Sequence, residues 1–68
     1  MEKIYGPFDV SAFAAGDRIE IVPHLDLWMQ GARFGEVLRT TKTRIHVRLD
    51  ATRRTIRLSS SDIFAIVT

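Results

Sequence analysis

Polar and apolar side chains alternate with a period of two in three stretches of this chain: Arg18-Ile19-Glu20-Ile21-Val22, Thr43-Arg44-Ile45-His46-Val47-Arg48-Leu49 and Thr55-Ile56-Arg57-Leu58. That period places every second side chain on one face and predicts strands buried on one side only. Pro23 ends the first of them, because proline cannot donate to a ladder. Phe34 to Thr40 reads as a further strand, with Gly35 near its start where a bend or a close backbone approach is needed. Ser59-Ser60-Ser61-Asp62 supplies capping oxygens for one helical turn, and Ile63 to Val67 follows as a last short strand.

The connections complete the expected layout. Residues 1 to 15 hold Ile4, Tyr5, Phe8, Val10 and Phe13 around Gly6-Pro7 and predict an extended arm or short edge strand leading into a turn at Ala15-Gly16-Asp17. Residues 23 to 33 form a long connection, and long ordered loops in small domains tend to carry function. Five short strands with almost no helix predict an all-β fold. Closure removes exposed edges, so the expectation is a five-stranded small barrel with a short helical turn before the last strand.

Length bounds this picture at one domain, since a chain of 68 residues buries too little surface to be divided. Residues 1–68 are read as a single small-barrel domain, with residues 1–12 as an N-terminal arm and 13–67 as the barrel. A hydrophobic fraction of 46% supplies enough apolar mass for collapse. The absence of cysteine removes disulfides, thiolate metal ligands and a cysteine nucleophile, and leaves packing to stabilise the fold. Apolar runs are short and Met1-Glu2-Lys3 opens no secretion signal, so the expected location is cytoplasmic.

Charge changes the picture more than composition does. Residues 1 to 38 carry three basic and six acidic side chains, whereas residues 39 to 57 carry Arg39, Lys42, Arg44, Arg48, Arg53, Arg54 and Arg57 against Asp50 alone. Arginine's planar fork suits phosphate and carboxylate, which points to a polyanion or an acidic partner; a solvated face that only keeps the protein soluble is the plain alternative. Keeping Ile45, Val47 and Leu49 on the face of Ile56 and Leu58 predicts a hairpin with Leu49 opposite Ile56, a loop of Ala51-Thr52-Arg53-Arg54 and Arg48 opposite Arg57. Facing like charges are unfavourable. Either a bound anion offsets them, or Glu36 does, opposing Arg48 across a Thr41-Lys42-Thr43 turn.

Phe13-Ala-Ala-Gly16-Asp17-Arg18-Ile19-Glu20-Ile21, then Gly31-Ala-Arg-Phe-Gly35-Glu-Val37, resembles the KOW and Tudor type of Src-homology-like small β-barrel, and Ser-Ser-Asp-Ile near the end is similar to the helical turn those barrels place before their final strand. The resemblance covers residues 13 to 67. It implies the barrel, and a type that binds RNA, DNA, methylated side chains, peptides or other subunits. The loop between Val22 and Gly31 is longer than the compact KOW linker, and few aromatics beyond Trp28, Phe34 and Tyr5 are available for a methyl-lysine cage. A plasmid-borne dihydrofolate reductase shares the barrel class, but Arg57 to Ser59 contains no glutamine or tyrosine for its pore.

Other constellations are weaker. His24, Asp26 and His46 offer three ligand types without a recognisable metal spacing. Ser59, Ser60 and Ser61 near Asp62 read as a cap, with no histidine placed to activate a nucleophile. No cofactor or catalytic site is expected. The leading expectation is a non-enzymatic module that binds nucleic acid, RNA or DNA, or an acidic protein through Arg44, His46, Arg48, Arg53, Arg54 and Arg57. The alternative is a protein-interaction or assembly module, including a homo-oligomer, that uses Leu25, Leu27, Trp28, Met29 and Phe34. There Trp28 is either a lid on the core or an exposed anchor. A standalone barrel of this kind suits a bacterial or bacteriophage accessory protein.

Overall fold

A computed structural model describes residues 2–22, 31 and 33–68 of the chain. Alternation is realised as strands: β1 Lys3–Tyr5, β2 Arg18–Ile21, β3 Phe34–Thr40, β4 Ile45–Leu49, β5 Thr55–Leu58 and β6 Ile63–Val67. They form one antiparallel sheet in the order β1-β6-β2-β3-β4-β5. The all-β class is as expected, and Ser60–Asp62 forms the single helical turn before β6. Two features correct the expectation. There are six strands among the described residues rather than five, because Lys3–Tyr5 takes the edge-strand alternative and pairs with β6. Pairing also ends at β1 and β5, so the sheet is not closed into a barrel. Closure would require β1 and β5 to pair.

The core lies on the inner face of this sheet. Ile19, Ile21, Val37, Ile45, Val47, Leu49, Leu58 and Ile63 pack there with Phe13 from the connection before β2. These are the alternate apolar positions of each strand, and burying them is the main favourable term for a domain of this size. Phe8 adds an edge-to-face contact with Phe13 at a centroid distance of 5.2 Å. The turn into β2 is set by Gly16, whose φ of 95° suits the third position of a turn in which the Asp17 amide donates to the Ala14 carbonyl at 3.1 Å. Gly35 serves close approach: a Cβ there would lie 2.5 Å from a Val47 methyl and 2.9 Å from the Arg48 carbonyl.

Two irregularities decide which polar side chains face outward. The register of β3 on β4 shifts between Val37 and Arg39, leaving Leu38 as an extra residue, and that of β6 on β2 shifts around Phe64. Without the first bulge, strict alternation from Val37 would turn Arg39 into the core. With it, Arg39 stands opposite His46.

Candidate functional site

The register sorts the outer face into rows of side chains that stand opposite one another. One row runs Arg39, His46 and Arg57 across β3, β4 and β5. The next holds Arg18, Glu36, Arg48 and Thr55. A third holds Tyr5, Ala65, Glu20 and Phe34 across β1, β6, β2 and β3.

Charges in the second and third rows are compensated. Arg48 donates to Glu36 at 3.1 Å, Arg18 pairs with Asp50, and Lys3 donates to Glu20 at 2.7 Å. The hydrogen bond to Glu20 raises the Lys3 pKa above its ordinary value, against a smaller lowering by desolvation. Arg18, Glu36, Arg48, Asp50 and Arg53 surround a hollow of about 290 Å³ whose charges are therefore mixed.

The first row differs. Among the described residues no carboxylate lies within ion-pair distance of Arg39, Lys42, Arg44 or Arg57. Asp62, just beyond β5, is occupied by the cap: its carboxylate accepts from the Ser59 amide at 3.1 Å and the Ser59 hydroxyl at 3.0 Å. His46 sits between the two guanidiniums. Desolvation first, and then Arg39 and Arg57, lower its pKa, so the imidazole is neutral at neutral pH. Arg44 lies at the same end of β4, in the β3–β4 connection, where its guanidinium donates to the Thr43 carbonyl at 3.0 Å. This corner concentrates four arginine and lysine side chains and one titratable imidazole with no local counter-charge among the described residues.

Of the six predicted basic residues, Arg44, His46 and Arg57 thus come together, while Arg48 is committed to Glu36. Arg53 and Arg54 lie in the opposite loop, where the Leu49 amide donates to the Arg54 carbonyl at 2.9 Å. The predicted hairpin register is corrected by two residues: Val47, not Leu49, faces Ile56, and His46, not Arg48, faces Arg57. The shift preserves the buried face, and Arg53 in the left-handed region at φ 61° turns the loop one residue earlier than expected. Glu36 does oppose Arg48, with the β3–β4 connection running from Thr41 to Arg44, where the Thr41 amide donates to the Arg44 carbonyl at 2.8 Å, and the Leu38 bulge taking up the difference. Arg39, absent from the predicted set, joins it; the adjacent apolar pair Val37-Leu38 is the break in alternation that signals its bulge.

Leu25, Leu27, Trp28, Met29, His24 and Asp26 lie outside the described residues, so the interaction loop and two of the three metal-ligand candidates do too. Phe34, the described member of the loop surface, is 36% exposed on the outer face. Among the described residues no group of three or more histidine or carboxylate side chains could hold a metal ion, and no helix is long and apolar enough to cross a membrane. Comparison with models of known protein families, with curated proteins and with solved structures gives no match.

Proposed function

We propose that this protein is a non-enzymatic small β domain that binds nucleic acid through the corner built by Arg39, Lys42, Arg44, His46 and Arg57. The carrying observation is the row Arg39, His46, Arg57, in which the two guanidiniums flank the imidazole and neither has a carboxylate within ion-pair distance among the described residues, while Arg18, Arg48 and Lys3 are paired. Arg39 on β3 and Arg57 on β5 flank the neutral imidazole on β4, and the species that draws two such uncompensated cations together is a polyanion with regularly spaced phosphates. The resemblance of residues 13 to 67 to KOW and Tudor barrels agrees with this reading, since that type includes RNA and DNA binders.

The test is a fluorescence-anisotropy titration of a labelled oligonucleotide at low salt with single charge-neutralising variants. Arg39→Gln and Arg57→Gln each weaken binding about fivefold, the loss of one charge-assisted phosphate contact. Arg54→Gln, in the opposite loop, changes it less than twofold. Equal losses at all three positions would show a diffuse charge effect and sink the assignment to this corner.

A further inference from the structure

Three of the four large apolar side chains that stay exposed among the described residues are aromatic: Tyr5 at 59%, Phe64 at 38% and Phe34 at 36%. Tyr5 on β1 and Phe64 on β6 gather at one edge of the sheet, and Phe34 stands on β3. Tyr5 and Phe34 share one outer row, with Ala65, fully buried, and Glu20 between them. Phe64 is the extra residue of the β6 bulge, and its ring meets Tyr5 edge to face at a centroid distance of 5.3 Å. The Lys3 ammonium stands 5.9 Å from the centre of the Phe34 ring. None of the three aromatics belongs to the core cluster. Tyr5 and Phe64 instead wall a hollow of about 280 Å³ whose margin includes Pro7, Val22, Ser60 and Ser61. An aromatic wall with hydroxyls at its edge is the chemistry that takes a flat heteroaromatic ring with polar edges: the rings supply stacking, the Ser60 hydroxyl meets a donor or an acceptor, and the Ser61 hydroxyl, hydrogen-bonded to Ser59 at 2.9 Å, meets a donor.

We propose that this hollow receives an unpaired nucleobase, so that the nucleic acid held by the cationic corner is a single strand. The inference rests on reading that corner as a phosphate site and adds to it the conformation of the ligand. Charge complementarity selects this occupant over a peptide, because the same outer face carries Arg39 and Arg57 uncompensated on either side of His46. The aromatic row lies two side-chain rows beyond the histidine, about 13 Å along the strands, and Tyr5 stands four strands across the sheet from it, about 19 Å, a span a short oligonucleotide covers. A duplex keeps its bases stacked inside and presents only phosphates to such a surface. A single strand offers phosphates to one part and ring faces to the other.

The experiment compares a labelled twelve-residue single strand with the matching duplex in anisotropy titrations, using the wild-type protein and the double variant Tyr5→Leu, Phe64→Leu. Leucine keeps apolar bulk and removes the ring. The expected result is wild-type preference for the single strand by tenfold or more, about the worth of stacking one base, lost in the variant while duplex binding stays within twofold. Photo-crosslinking of a 5-bromouracil single strand to the wild-type protein, mapped by mass spectrometry, gives a readout independent of the variant's folding and places the crosslink at Tyr5 or Phe64. Duplex bound as tightly as single strand, or a crosslink confined to the cationic corner, overturns the inference and leaves the phosphate site standing. Binding of neither nucleic acid overturns the phosphate reading itself.

Discussion

At the scale of single residues, His46 is the most informative group because its charge state is coupled to the site. Its folded pKa is depressed, by desolvation and then by Arg39 and Arg57, below the ordinary value of 6.5, whereas the unfolded chain titrates near that value. The unfolded state therefore binds the proton first as pH falls. Stability is undiminished above about pH 6.5 and declines as pH drops through the folded pKa, and urea midpoints of wild type and His46→Gln should converge at high pH and diverge below pH 6. A phosphate between the two arginines offsets the part of that depression that comes from Arg39 and Arg57. Oligonucleotide affinity should accordingly rise between pH 7.5 and pH 5.5 in the wild type and stay flat in His46→Gln; a flat wild-type profile would show that the anion does not sit beside the imidazole. Arg53 makes a second point at this scale. A non-glycine residue at φ 61° carries a backbone penalty of about 1 kcal/mol, so Arg53→Gly should leave stability unchanged or raise it by up to about 1 kcal/mol in a denaturant titration.

At the scale of elements, the positions that face the core are legible in the sequence and the registers that align them are only partly so. Alternation from Thr43 to Leu49 and from Thr55 to Leu58 identifies the buried side chains of β4 and β5 correctly, because a period of two leaves no other face for Ile45, Val47 and Leu58. It cannot separate registers that differ by two residues, since each keeps the same faces together. The left-handed Arg53 makes that choice, and arginine advertises no turn type. The bulges at Leu38 and Phe64 cost the reading more: one brings Arg39 to the row of His46 and Arg57 and the other sets Phe64 against Tyr5. β1 illustrates a different limit, because its partner strand is sixty residues away and no local pattern of three residues names it. Gly35 is the opposite case, a close approach anticipated from sequence and present between β3 and β4. Gly35→Ala forces a methyl against Val47 and the Arg48 carbonyl. It should destabilise the fold by about 1 to 3 kcal/mol, seen as a lower urea midpoint at unchanged slope; an unchanged midpoint would mean that β3 and β4 part without strain.

At the scale of the whole molecule, a single six-stranded sheet separates its functions by face. The inner face supplies the apolar cluster that holds the fold, and the outer face is divided into a cationic corner, a band of compensated pairs and an aromatic margin. The net charge of +2 hides this division, because Glu20, Glu36 and Asp50 neutralise the cations of the compensated band while the corner keeps its own. Binding in this account is driven by the release of counterions from phosphates, with aromatic contacts adding a term that salt does not screen. The most direct test is the salt dependence of oligonucleotide affinity, measured by anisotropy across a series of sodium chloride concentrations at constant pH. Four cations in the corner predict that the logarithm of the association constant falls with the logarithm of salt at a slope of about −3, reduced by about one unit in Arg57→Gln. A slope near zero, or one that Arg57→Gln leaves unchanged, would contradict the account.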